Sequence, residues 1–98
     1  KETNNFEFKK VLLERLIFKY QLFPLVVSNA YAKLGNVKSD YNMFHAALVD
    51  FAKSDEITPE LTIGSLNRGL MYTKYGKLDE AIAELERGLT KTKDILPE

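Results

Sequence analysis

Residues 66–89 read LNRGLMYTKYGKLDEAIAELERGL, and this segment carries the strongest structural signal in the chain. Before Gly76, the residues Gly69 and Tyr72 are three positions apart and share one face of a predicted helix. After Gly76, apolar residues recur every three to four positions, which is typical of an amphipathic helix; they are Leu78, Ala81, Ile82, Leu85 and Leu89. Glycine ends a helix without steric cost. The segment therefore predicts two antiparallel helices joined at Gly76.

A similar pattern precedes this segment in the chain, at the offset that separates Gly35 from Gly76. We call this the long offset. It aligns residues of the same size or polarity in the order Ser28 with Gly69, Tyr31 with Tyr72, Lys33 with Lys74, Gly35 with Gly76, Val37 with Leu78, Phe44 with Leu85, Ala47 with Gly88 and Leu48 with Leu89. The alignment predicts that Gly35 ends a helix. It also predicts a second amphipathic helix after that glycine, with a buried stripe of Val37, Tyr41, Phe44, Leu48 and Phe51.

The boundaries of the two copies can be predicted from capping residues and prolines. Thr58, Pro59 and Glu60 offer a capping hydroxyl, a proline for the first helical position and an acid near the positive helix end. A helix is therefore expected to begin near Pro59. Pro24 starts the earlier copy in the same way, or that copy continues from Gln21 with a kink at the proline. Both readings of Pro24 stay open.

Residues 3–22 form a predicted N-terminal packing helix that is apolar around more than half of its circumference. A helix of this kind needs partners on two sides. The chain of 98 residues has room for one hydrophobic core. We therefore predict an all-α fold of about five helices in one domain, residues 1–98, with a degenerate repeat at 24–55 and a better-matching repeat at 58–96. The chain begins with lysine and ends in an unfinished pattern, so we interpret it as a fragment of a longer protein.

The better copy resembles the tetratricopeptide repeat family. It has that family's small residue, tyrosine, turn glycine, helix-starting leucine and alanine at Gly69, Tyr72, Gly76, Leu78 and Ala81. The resemblance covers residues 21–98. The earlier copy is degenerate and places Asp40 where the family has alanine. The long offset exceeds the family's usual period of about 34 by roughly two helical turns, and is similar to the long-repeat branch of the family.

This resemblance implies antiparallel helix pairs stacked in a right-handed superhelix, whose concave face binds proteins or peptides. Asn67 matches the position where related repeats hold a ligand backbone with an asparagine. The predicted peptide-binding residues, judged from the resemblance, are Asn29, Lys33, Leu66, Asn67, Leu70 and Lys74. A groove of this composition favours a hydrophobic or helical ligand.

The sequence offers no arrangement of residues suited to catalysis. The only histidine, His45, lacks evident partners for a nucleophile or metal site. The glycines do not form a phosphate-binding loop. We therefore predict no enzymatic activity, no catalytic or metal-binding residues and no cofactor. The absence of cysteine fits a reducing compartment, and we expect a cytoplasmic protein.

Three classes of partner are compatible with the pattern. A protein or peptide ligand agrees best with the repeat. The second is self-association as a homodimer, or packing on flanking domains, in a larger regulator such as a peptide-sensing transcription regulator. The third is RNA, because pentatricopeptide repeats have related spacing. Equal numbers of basic and acidic residues, 14 each, disfavour nucleic acid. The most apolar stretch is interrupted by charges and a proline, so no membrane association is expected.

Overall fold

A computed structural model describes residues 2–93 as five α-helices without a β-strand. The helices are α1 (Glu2–Lys19), α2 (Pro24–Asp40), α3 (Phe44–Ile57), α4 (Ile63–Lys74) and α5 (Leu78–Lys93), with a short 3-10 turn at Pro59–Leu61. The predicted all-α fold of about five helices is confirmed. Residues 94–96, predicted to end the second repeat, lie outside the described residues, as does Lys1.

Helices α2 and α3 form one antiparallel pair. Ser28 near the start of α2 bonds to Ser54 near the end of α3, and Gly35 lies against the ring of Phe51. Helices α4 and α5 form the second pair, in which Gly69 lies against Leu85. The molecule is 18 Å thick, close to two helix diameters of about 10 Å each. The helices are therefore arranged in two layers.

Corresponding features of the two pairs are separated by a shorter offset, the one that separates Asn42 from Gly76. We call this the short offset. The turn of the first pair has a positive φ of 63° at Asn42, and the turn of the second has a φ of 74° at Gly76. The amide of Met43 donates to the Lys38 carbonyl over 2.8 Å, as the amide of Lys77 does to that of Tyr72.

The alignment at the long offset is therefore wrong, since it pairs Gly76 with Gly35 instead of Asn42. The two offsets differ by about two helical turns, or roughly seven residues. A shift of that size keeps apolar positions on the same helix face, which is why both alignments match in apolar residues.

The structure corrects the prediction that Gly35 ends a helix. Helix α2 continues through Gly35 to Asp40. The glycine is required because a β-carbon at this position would overlap the ring of Phe51. Its equivalent is Gly69, where a β-carbon would lie 2.7 Å from Leu85 Cδ2. Glycine therefore marks the closest approach of the paired helices here.

At the short offset, the residue that aligns with Ala81 is Ala47 and no longer Asp40. Both alanines are buried, with 0% and 3% of their surface exposed. Val37 belongs to α2 and is not in the apolar stripe of α3. The position equivalent to Asp40 is Lys74, at the end of α4.

The prolines have different roles at the two boundaries. Helix α2 begins at Pro24, which decides between the two readings of that boundary. Pro59 begins only a 3-10 turn, and α4 starts after Thr62, whose φ is 52°. The hydroxyl of Thr58 does not cap a helix; it shares a 2.6 Å hydrogen bond with Ser28 Oγ. The amide of Gly64 donates instead to an Asp55 carboxylate oxygen over 2.8 Å. A side chain of α3 therefore caps the N-terminus of α4.

Buried apolar residues come from α2, α3, α4 and α5, and Phe51 of α3 forms a buried cluster with Ala47 and Met71. Four half-buried residues pack against it, namely Phe44, Leu48, Tyr72 and Tyr75. Burying a phenylalanine contributes about 2 to 3 kcal/mol.

Helix α1 packs against α2 but does not have the expected partners on two sides within the described residues. Phe8 and Phe18 are 67% and 75% exposed. Its contribution to stability is therefore smaller than its apolar composition predicts.

Candidate functional site

Two equivalent stripes of side chains lie on α2 and α4. The stripe on α2 consists of Asn29, Lys33, Asn36 and Asp40, and the stripe on α4 consists of Ile63, Asn67, Leu70 and Lys74. Each stripe has spacings of four, three and four positions, which places its members on one helix face. The short offset relates each member of the second stripe to its counterpart in the first. We call the two stripes together the shared face.

Polar contacts join the two stripes. Asn36 Nδ2 donates to Asn67 Oδ1 over 2.9 Å, and Asn67 Nδ2 donates to the Ile63 carbonyl over 2.8 Å. One turn further on, Lys74 Nζ lies 2.7 Å from Asp40 Oδ1. Because the later residue of α2 contacts the later residue of α4, the two helices lie side by side and parallel.

The asparagine pair keeps hydrogen-bonding capacity for a ligand. A side-chain amide has two N–H donors and an acceptor oxygen. Each of the two amides uses one N–H in the contacts above, and these contacts do not use its second N–H. Both residues are half-buried, which orders the side chains before a ligand arrives and reduces the entropy lost on binding.

The other predicted binding residues are placed unequally. Lys33 and Leu70 are exposed members of the shared face, Leu70 with 62% of its surface accessible. Asn29 is exposed, and its Nδ2 donates to the Leu25 carbonyl of its own helix over 3.0 Å. Leu66 lies between α4 and α5, with Cδ2 3.2 Å from where a β-carbon on Gly88 would be. Leu66 is therefore on the side of α4 that packs against α5.

On α2, the predicted binding residues omit two members of the shared face, Asn36 and Asp40. Both follow Gly35, and a helix that ended there would leave them in a turn. The short offset could have found them, because it pairs Gly35 with Gly69 and Tyr41 with Tyr75. These matches are as close as those at the long offset.

The Asp40–Lys74 contact makes a pH prediction possible. The hydrogen bond from Lys74 to Asp40 raises the pKa of Lys74 above its ordinary value of 10.5. Since a raised lysine pKa favours the folded state only while the amine is protonated, this contribution is present below the ordinary pKa and is lost as the pH rises through the raised pKa. We expect Asp40→Asn to return the pKa of Lys74 toward 10.5.

The measurement is an NMR pH titration of the Lys74 ε-methylene in the wild-type chain and in Asp40→Asn. The matched control is Asp79→Asn, which removes an exposed carboxylate from the first turn of α5. Identical Lys74 titrations in the wild type and Asp40→Asn would contradict the assignment of this ion pair.

The single histidine of the sequence, His45, lies on α3. His45 is exposed, and its ring packs edge-on against Phe44 at 5.6 Å between centroids. Nowhere in the part of the chain that the structure describes do three or more histidine, cysteine or acidic side chains come together as potential metal ligands. None of the described helices combines the length and apolarity needed to cross a bilayer.

Comparison of the chain with protein-family models, curated proteins and solved structures gives no match.

Proposed function

We propose that this chain is a non-enzymatic binding module of the tetratricopeptide type, which holds a protein or peptide segment against the shared face of α2 and α4. The observation that carries the proposal is the pair of equivalent stripes on parallel helices. Asp40 and Lys74 occupy equivalent positions with a separation of 34 in the sequence, which agrees with the usual period of about 34 for this repeat type. Stacked helix pairs of this kind expose the first helix of each pair along one surface.

The chemistry of the shared face favours a peptide with both polar and apolar contacts. The asparagine pair supplies donors for main-chain carbonyls, and Leu70 supplies an apolar contact. Lys33 and Lys74 add positive charge, while Asp40 offsets part of it. The face therefore suits a short segment with an apolar side chain beside an acidic one.

The proposal is tested by selecting ligands from a random peptide library with the immobilised chain and measuring their affinity by fluorescence anisotropy. We expect Asn67→Ala, Lys74→Glu and Leu70→Glu each to weaken the selected peptides about tenfold, a loss of about 1.4 kcal/mol. Circular dichroism establishes that each variant is folded.

The matched control for Leu70→Glu is Val49→Glu, because Val49 is also an exposed apolar residue, at 55% of its surface, but lies on α3. We expect this control to bind like the wild-type chain. Unchanged affinity in all three shared-face variants, or the selection of no peptide, would refute the proposal.

A further inference from the structure

A groove runs along α1 and α2, beside the shared face. It consists of two adjoining hollows of about 410 and 360 Å³. Its floor is apolar and includes Leu12, Leu13, Leu16, Leu25 and Val37. Lys33 borders both hollows, and Asp40 borders one of them. Leu12 and Leu25 are 47% and 55% exposed, so the floor is accessible.

The internal repeat shows what occupies such a groove elsewhere in the same molecule. The short offset relates α1 and α2 to α3 and α4. Helix α2 itself lies along α3 and α4, where it contacts Asp50, Phe51, Asn67 and Lys74. When these four contact residues are shifted back along the chain by the short offset, the equivalent positions are Leu16, Ile17, Lys33 and Asp40. Three of them border the open groove.

We propose that the groove between α1 and α2 binds an amphipathic α-helix of another protein, lying parallel to α2 as α2 lies parallel to α4. A helix in this place would cover the exposed leucines of the floor. This burial is worth about 25 cal/mol for each Å² of apolar surface removed from water. All four α2 members of the shared face also line the two hollows, but different variants test the groove and the shared face.

The contacts of α2 define the chemistry of the bound helix. Gly35 lies against Phe51, so the bound helix needs a small residue opposite Ile17, the equivalent of Phe51. The next residue, equivalent to Asn36, meets Lys33 and is acidic. Four positions after that acid, the bound helix has a basic residue. This residue takes the place that Asp40 has in α2, and it contacts Asp40 of the groove.

One further position follows from the buried ion pair. Lys38 of α2 contacts Asp50, whose equivalent in the groove is Leu16. The bound helix therefore has an apolar residue two positions after its acid. Asp40 can serve the bound helix while paired with Lys74, because a carboxylate accepts several hydrogen bonds. The recognised pattern is small, acidic, any, apolar, any, basic.

The probe is a synthetic peptide of residues 24–40 carrying Asn36→Glu, Lys38→Leu and Asp40→Lys. Short helices are marginal in water, so the probe and its control both carry Asn29→Glu, whose carboxyl group forms a lactam with the Lys33 amine with loss of water; both positions are exposed in α2. The control peptide carries Asn36→Lys, Lys38→Leu and Asp40→Glu, which exchanges the two charges. Fluorescence anisotropy measures the binding of both peptides to the chain.

We expect the control peptide to bind about tenfold more weakly than the probe, because like charges then face each other at two positions. Lys33→Glu should reduce this preference. The double variant Leu12→Ser with Leu25→Ser should weaken both peptides at least about tenfold while keeping its helical circular dichroism spectrum. Leu70→Glu, on the shared face, should leave both affinities unchanged.

Equal affinities for the two peptides would overturn the proposed polarity and register of the bound helix. A peptide affinity that survives Leu12→Ser with Leu25→Ser would overturn its location. A third contrary result is a dimer, detected by sedimentation and abolished by the double serine variant, in a chain that binds neither peptide. That result would assign the groove to a second copy of this chain and would also overturn the proposal.

Discussion

Replacing Lys38 with methionine is expected to lower the free energy of unfolding by about 3 kcal/mol, since it leaves the Asp50 carboxylate buried without its partner. Lys38 Nζ lies 2.8 Å from Asp50 Oδ2, and the two side chains are only 16% and 7% exposed. Removing one member of a buried pair costs more than the pair itself contributes, because the remaining charge has lost both water and its partner.

Urea unfolding followed by circular dichroism measures this effect. The double variant Lys38→Met with Asp50→Leu should regain most of the lost stability, because apolar side chains can replace a buried ion pair. The matched control is Lys74→Met, which breaks an ion pair whose side chains are more than half exposed and should leave the unfolding midpoint nearly unchanged. A double variant as unstable as Lys38→Met would contradict the explanation.

Replacing Gly35 with alanine is expected to lower the free energy of unfolding by about 2 kcal/mol, a value set by overpacking. Alanine is the better helix former by about 1 kcal/mol, so local propensity alone predicts a gain. The new β-carbon would instead overlap the Phe51 ring, whose Cδ1 atom is 2.7 Å from its position. Overpacking of this kind costs about 1 to 3 kcal/mol and outweighs the gain in propensity.

A double-mutant cycle with Phe51→Leu separates overpacking from a helix-ending role for Gly35. Leucine has fewer side-chain atoms than phenylalanine, and its terminal methyl groups can move away from a new β-carbon at a lower cost than the fully buried Phe51 ring. We expect Gly35→Ala to cost clearly less in the Phe51→Leu background, which gives a coupling of about 1 kcal/mol or more. If Gly35 were instead a helix-ending glycine, alanine would cost the same in both backgrounds.

The proposed shared face depends on these structural assignments. A helix that ended at Gly35 would leave Asn36 and Asp40 in a turn and would pair Lys33 with Lys74. With α2 continuing to Asp40, the pair becomes Asp40 with Lys74, and the two carry opposite charges across adjacent helices. The candidate site thus gains Asn36 beside the predicted Asn67, and Asp40 beside the predicted Lys74.

The turn of the first pair is hard to predict because Asn42 takes the place that Gly76 takes in the second pair. Asparagine is among the residues that tolerate a positive φ, but it is also common in other settings. Gly35, a conspicuous glycine about two helical turns earlier, matches the expected pattern and gives a false repeat length. The spacing of apolar residues cannot correct the error, since a shift of two helical turns returns to nearly the same face.

The amino-acid sequence by itself determined the helical class, the number of helices and the second helix pair, because these follow from apolar periodicity and from the glycine at residue 76. The tertiary structure alone decided the offset between the two helix pairs, the role of Gly35 and the membership of the shared face. Those features depend on which side chain meets a given position, as Phe51 meets Gly35 and Asn67 meets Asn36. Contacts between residues far apart in the chain arise from packing, and helical periodicity does not encode them.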